Sequence, residues 1–243
     1  MKNINLYAFG RCTVNGAWDF DRSRVLNRLY YVNSGCAVIH NGTNEYRLTV
    51  GKFYIIPQCK AFHPIDATDF DHTYFDFYSS KIFNPDKIIE FDGDVLQSSS
   101  FFEHINSFIR EGENIKPIME EYLSGFLSLI ESKYRELYYI SESSLSYALN
   151  FIHEEYASIT TDILAKRVNL NKSYFIRLFS SAMGLSPMKY IRAVRVSHGK
   201  ELIQNGESIS NAAELCGYSS PSAFYNAVKS ELGVSPSDFK NKH

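Results

Sequence analysis

One four-residue pattern occurs twice near the end of this 243-residue chain. Gly184-Leu185-Ser186-Pro187 recurs as Gly233-Val234-Ser235-Pro236, 49 residues later. Ser173-Tyr174-Phe175 recurs at the same offset as Ser222-Ala223-Phe224, whereas Leu164-Ala165 matches Ala212-Ala213 at an offset of 48. A repeat of turn and apolar residues in one order calls for the same supersecondary unit built twice. The slip in offset puts one extra residue between the two helices of the second copy. Each copy reads as helix, tight turn, helix, over about 161–183 and 209–232. Gly217 ends the first helix of the second copy, because glycine takes a left-handed backbone without a Cβ penalty. Asn169 takes that place in the first copy, and asparagine is the usual substitute.

The second helix of each copy has two faces. In the first copy Tyr174, Phe175, Leu178, Phe179 and Ala182 are expected to pack inward. Lys172, Ser173, Ile176, Arg177, Ser180 and Ser181 are expected outside. A short half-polar helix of this kind fits a B-DNA major groove. Arg177 suits a bidentate contact to guanine, and Ile176 a thymine methyl. The outer face of the second copy is Pro221, Ser222, Tyr225, Asn226, Lys229 and Ser230, where Asn226 suits adenine. Between the copies, Ser186 can cap and Pro187 can open a helix reaching about Gln204. Such a rod is about 26 Å long, near the ~34 Å between successive major grooves on one face of a duplex. Lys189, Arg192 and Arg195 lie along it as candidate phosphate contacts.

The formal net charge of −2 hides an uneven distribution. Residues 161–200 hold Lys166, Arg167, Lys172, Arg177, Lys189, Arg192, Arg195 and Lys200 against Asp162 alone, while residues 1–140 are acidic on balance. The second copy is cation-poor, so phosphate affinity is expected mainly from the first. Cys12, Cys36, Cys59 and Cys216 form no CxxC pair, which speaks against a zinc framework and for a reducing compartment. No apolar run approaches the ~20 residues of a membrane span, and the first residues lack a signal-peptide core. A cytoplasmic protein is expected.

The front of the chain, to about Ser80, reads as short antiparallel strands. Arg28–Asn33, Ala37–His40, Glu45–Val50, Phe53–Pro57 and His72–Tyr78 are rich in Tyr, Val, Ile and Phe. Turns are expected at Asn33-Ser34-Gly35, Asn41-Gly42, Gly51-Lys52 and Pro64. Helices are expected over Phe101–Glu111 and Lys116–Leu137, with a linker at Ser141–Ser144 and a further helix at about 145–156. The fold class is therefore α+β in two domains, an antiparallel β-barrel with following helices and an all-α double helix-turn-helix domain. The boundaries fall at 1–80, 98–140 and 141–243.

The set Leu164-Ala165, Ser173 to Phe179, Gly184 to Pro187, Tyr190-Ile191, Arg195, Leu202-Ile203, Ala213, Cys216-Gly217-Tyr218, Ser222 to Phe224 and Gly233 to Pro236 closely resembles the AraC/XylS family of bacterial transcription regulators. The resemblance covers about 145–240. It implies one recognition helix per copy, at about Lys172–Ala182 and Pro221–Glu231. Asn226 and Val228 stand where the family often has Arg and Phe. Gly199 stands where it usually has Ala, a change expected to loosen the rod at up to ~1 kcal/mol. The front half is similar to the cupin-type sensor barrel of the family, on Arg28 to Val32, Gly35, Gly51, Pro57 and His63. The resemblance implies a small-molecule effector, frequently a sugar, a homodimer formed through the helices after the barrel, and contact with RNA polymerase in an activator.

Trp18, Arg28, Tyr30, His40, His63 and Tyr74 are candidates to line an effector pocket of stacking and hydrogen-bonding groups, with Arg28 paired to Asp76 as the structural alternative. Catalytic cupins hold a metal with His and Glu. Here His40, His63 and His72 lack an HxH pair and a following Glu at the required spacing, so no metal, cofactor or catalytic set is expected. A metal-dependent cupin-like enzyme with a helical tail, and an interaction module that no longer binds DNA, remain the alternatives.

Overall fold

The computed structural model describes residues 4–17, 25–40, 44–58, 62–79, 83, 88–94, 98–111, 115–134 and 143–241. The chain divides into two compact units, with the main boundary between residues 140 and 141. The first unit holds strands β1 (Ile4–Val14), β2 (Asn27–His40), β3 (Glu45–Thr49), β4 (Lys52–Ile56), β5 (His63–Ser79) and β6 (Ile89–Asp92), then helices α1 (Ser98–Glu111) and α2 (Lys116–Lys133). All strand pairs are antiparallel, in the order β1-β5-β2-β4-β6 with β3 on β2.

Strict alternation gives this sheet two apolar faces. Leu29 and Tyr31 of β2, Phe53 and Ile55 of β4, and Phe75 and Phe77 of β5 point one way, into a core shared with α1 and α2. Met119, Leu123, Phe126, Leu127 and Ile130 of α2 recur at helical spacing and meet that face. Phe53 is fully buried and stacks on Phe91 at 4.6 Å, with the Phe126 ring edge-on at 5.2 Å. A polar clasp anchors α1 beside these rings. Asn106 accepts from the Thr73 hydroxyl (2.6 Å) and donates to Asn33 (3.0 Å), which donates back to Thr73 (3.1 Å). No buried side-chain atom of that triangle lacks a partner, so its hydrogen bonds offset the cost of burying it.

The alternate residues Tyr30, Val32, Tyr54, Ile56 and Phe70 build a second core on the inner face. The long strands β2 and β5 bend to enclose it. The bend lies where the sequence suggested turns. Asn33-Ser34-Gly35 continues β2 through register shifts instead of reversing the chain. Pro64 likewise lies inside β5, opposite Ile39 beside another shift. A bulge and a turn share the same residue chemistry, and only the partner strand separates them. The sheet also does not end near residue 80, because β6 pairs with β4. The expected Asn41-Gly42 hairpin tip lies outside the described residues.

The second unit holds α3 (Ser143–Glu154), α4 (Thr161–Arg167), α5 (Lys172–Met183), α6 (Pro187–Gln204), α7 (Ile209–Leu215), α8 (Pro221–Leu232) and a terminal 3-10 turn, Pro236–Asn241. The central helix α6 buries Tyr190, Val194, Val196 and Ile203, among others. His153 of α3 is sealed beside it, 3.1 Å from the Tyr190 hydroxyl, and burial holds its pKa well below the ordinary value. Among the described residues no helix is long and apolar enough to cross a membrane.

Gly35 offers a test of the bend. Its φ is +71°, and an added Cβ would lie 2.1 Å from the Asp69 carbonyl oxygen. Gly35→Ala is expected to destabilise the first unit by at least ~1–2 kcal/mol, the cost of a left-handed L-residue before the clash is counted. Urea unfolding followed by tyrosine fluorescence measures it. An unchanged midpoint would contradict the bulge.

Candidate nucleic-acid interface and inner sheet face

The two helix-turn-helix copies are built by the same local chemistry. The Thr160 hydroxyl caps α4 through the Ile163 N–H, and the Ser208 hydroxyl caps α7 through the Asn211 N–H. Each first helix closes with the same pair of bonds. Asn169 N–H donates to the Lys166 carbonyl and Leu170 N–H to that of Ala165; Gly217 N–H donates to the Glu214 carbonyl and Tyr218 N–H to that of Ala213. Asn169 and Gly217 are left-handed, with φ of +54° and +75°. The next helices are capped by Asn171 and Ser220 and end in left-handed Gly184 and Gly233. The extra residue of the second copy lies between α7 and α8.

On α5, Phe175, Phe179 and Met183 are buried, one helical turn apart. Lys172, Ser173, Arg177 and Ser181 are exposed, while Ile176 and Ser180 are half-buried at the flank. Tyr174, expected inside, is 42% exposed. The buried stripe is narrower than the run of apolar letters, and a phenol tolerates water at its edge. On α8 the expectation holds throughout. Phe224, Ala227 and Val228 are buried, and Pro221, Ser222, Tyr225, Asn226, Lys229 and Ser230 are exposed. At the 49-residue offset Arg177 corresponds to Asn226, Ile176 to Tyr225, and Ser180 to Lys229.

The cations of the basic block are not equally available. Lys172 is 2.8 Å from Asp162, Arg167 is paired with Glu155, and Arg192 is 2.5 Å from Glu231. Arg195, read from sequence as a phosphate contact, is turned inward. Its Nε donates to the Tyr156 carbonyl (2.7 Å), and its Nη2 to those of Ala157 (3.0 Å) and Ile159 (3.3 Å). A guanidinium fork committed to three carbonyls has little left for a phosphate. Arg192 must give up a carboxylate to reach one. Lys166, Arg177, Lys189 and Lys229 are exposed, and none has an acidic partner among the described residues. Gly199 also reads differently in three dimensions. A Cβ there would stand 2.5 Å from the Phe224 ring, so glycine makes the seat for that ring.

Of the six pocket candidates, Arg28, Tyr30 and Tyr74 share the inner sheet face. Tyr30 and Tyr74 are register partners, and Arg28 Nε is 3.3 Å from Asp76 Oδ1. His72 joins them, although the sequence marked it only as a metal candidate. It lies two residues from Tyr74 in one strand and hence on the same face. Its ring stacks on Phe70 at 4.3 Å, tilts against Tyr30 at 4.6 Å, and stands 3.7 Å from the Cys12 sulfur. Burial pushes the His72 pKa down to about 4 and the Tyr74 pKa up to about 12. His40 and His63 do not belong to this group. They face each other across β2 and β5 at 5.3 Å. Ile39 is buried in the inner core, so its neighbour His40 points to the other side. Trp18 lies outside the described residues. Among the described residues no three His, Cys, Asp or Glu side chains gather as metal ligands.

Residues 164–242 match the helix-turn-helix domain family. The Msm operon regulatory protein of Streptococcus mutans serotype c is 30% identical over 170 residues, covering 68% of this chain and 56% of that protein. The lactose operon transcription activator of Staphylococcus xylosus is 25% identical over 130 residues, 51% of this chain and 47% of the relative. Residues 164–242 form a helix-turn-helix domain of the AraC/XylS type.

The chain thus spans about half the length of the curated relatives it matches. The shared fold extends beyond those helices. A crystal structure of unsaturated fatty acid bound ToxT from Vibrio cholerae strain SCE256 matches 98% of this chain and 94% of its own, with a TM-score of 0.61 at 17% identity. The front sheet carries its own measurable signature in His72. The unfolded chain takes up a proton near the ordinary histidine pKa of 6.5, while the folded ring resists until about 4. Stability is therefore lost as pH falls through that window, by up to about 3 kcal/mol for the 2.5-unit gap. His72→Phe is expected to flatten the dependence of the urea midpoint between pH 6.5 and 4. An identical slope in wild type and variant would refute the buried neutral ring.

Proposed function

We propose that this chain regulates transcription by gripping duplex DNA with α5 and α8 in successive major grooves. One observation carries the reading. The same capped, outward-facing polar helix occurs twice in one unit, at a fixed offset along a connecting helix of 18 residues. That helix is about 27 Å long, and groove spacing on one duplex face is ~34 Å. Arg177 reads guanine and Asn226 adenine in this scheme. Lys166, Lys189 and Lys229 supply phosphate contacts, and Lys172 joins them when Asp162 releases it.

The front unit holds the effector. Arg28, Tyr30, His72 and Tyr74 offer a polar and aromatic inner face of the kind that stacks on and hydrogen-bonds a small polar molecule. The lactose operon named for one relative supports a saccharide, and the fatty acid named with ToxT supports a carboxylate lipid. The inner face, with one guanidinium already facing Asp76, favours the saccharide. Activation through RNA polymerase, dimerisation through α1 and α2, and a cytoplasmic setting complete the reading. Ile118 and Leu129, each about half exposed on α2, support the dimer.

Selection of a preferred duplex from a randomised pool, followed by fluorescence anisotropy at fixed salt, tests the DNA reading. Arg177→Ala and Asn226→Ala are each expected to weaken binding by about 1–3 kcal/mol and to relax base preference at one position. Unchanged affinity in both folded variants would leave the outward faces to a protein partner. Calorimetric titration with mono- and disaccharides, repeated on Tyr30→Ala, tests the effector. Heat that is equal in wild type and variant would remove the inner face from the proposal.

A further inference from the structure

Arg195 stands at a junction of three elements of the DNA-binding unit. Its guanidinium comes from the middle of α6 and grips the carbonyls of Tyr156, Ala157 and Ile159 in the segment that leads from α3 into the first helix-turn-helix copy. The second copy closes on the same segment. Gly217, the left-handed residue of its turn, lies so near the Ala157 carbonyl that a Cβ would stand 1.9 Å from the oxygen. Tyr218, the next residue, has its ring 6.0 Å from the Arg195 guanidinium and 5.3 Å from Phe224. Phe224 rests in the seat left by Gly199, one helical turn beyond Arg195 on the same face of α6. One carbonyl, that of Ala157, is thus held by the rod and covered by the second copy.

We propose that Arg195 is a positioning residue that sets the separation and angle between α5 and α8, so that the protein reads the spacing of two half-sites as well as their bases. The inference rests on the DNA-binding reading above. Apolar packing of each copy on α6 is non-directional, whereas hydrogen bonds from the rod fix an orientation. A planar fork on three carbonyls supplies such bonds. Two linked binding helices gain avidity only while their geometry lets both engage at once. Arg195 touches neither base nor phosphate in this scheme, so its loss acts on the coupling between half-sites.

Two measurements on the full chain test this. In the first, spin labels carried by non-canonical amino acids replace exposed Ser181 and Ser230, and electron paramagnetic resonance gives the distance distribution between the recognition helices without DNA. Arg195→Gln is expected to broaden a narrow wild-type distribution, and Gly199→Ala, which pushes on Phe224, to shift it. In the second, the duplex selected from the randomised pool is compared with versions carrying one to three inserted base pairs and with each half-site alone. Wild type is expected to lose roughly tenfold or more on insertion, whereas Arg195→Gln binds the parent duplex about tenfold more weakly and loses less than about threefold on insertion. Half-site affinity stays at the wild-type value. Arg195→Lys, with one charged head in place of a fork, restores charge but not the spacing profile. An unchanged distance distribution in both variants overturns the proposal, as does a wild-type spacing profile in Arg195→Gln. A wild-type chain that selects no sequence from the pool overturns the DNA reading instead, while the distance measurement still decides the role of Arg195.

Discussion

A helix pair joined by a few residues depends on one constraint. The chain must reverse sharply without stranding the carbonyls at the end of the first helix. Both copies meet it with one left-handed residue, Asn169 or Gly217, whose N–H and that of the following residue return to the helix just completed. Those bonds leave few orphan acceptors at the helix ends and fix the angle at which the next helix departs. The inward placement of Phe175 and Phe224, and so the outward placement of Arg177 and Asn226, follows from that angle. The two outward polar faces are in this sense a product of backbone hydrogen bonding in the turns.

Local chemistry of this kind is legible in a sequence: the helices of the second unit agree with expectation to within two residues, whereas α1 starts three residues earlier than expected and α2 ends four earlier. The helix bounds of the second unit, the cap at Ser186 and the outer face of α8 all depend on neighbours within one or two turns. What was misread depends on distant partners. Arg195 looked like one more cation of a basic stripe, because nothing near it in sequence reveals the carbonyls of residues 156–159. Gly199 looked like a weakness, because the ring that needs its missing Cβ lies 25 residues away. Asn33-Ser34-Gly35 and Pro64 looked like turns, because a bulge differs from a turn only in the strand beside it. His40 and His63 were grouped with Tyr30 before the register shifts had assigned them a side of the sheet. The surplus of apolar residues along Tyr174–Ala182 likewise concealed how narrow the buried stripe is.

Charge shows the same distinction between composition and availability. Lys172, Arg167 and Arg192 have acidic partners inside their own unit, and Arg195 has carbonyls. Among the described residues of this unit, Lys166, Arg177, Lys189 and Lys229 are exposed without an acidic partner. Under the proposed DNA reading, a modest open set favours release from non-specific sequence, since each phosphate neutralised adds affinity for every duplex alike. In the front unit the polar groups are organised otherwise. Arg28, His72 and Tyr74 sit against apolar rings on a buried face, where burial keeps His72 and Tyr74 uncharged.

The two left-handed positions also differ in how much change they can absorb over generations. Asn169 is exposed and already carries a side chain in that conformation, so the first turn can sample other residues at a modest energetic cost. Gly217 is pressed against a backbone oxygen and excludes even a methyl group. The two turns therefore differ in tolerance: the first already holds a side chain at its left-handed position, while the second has room for none.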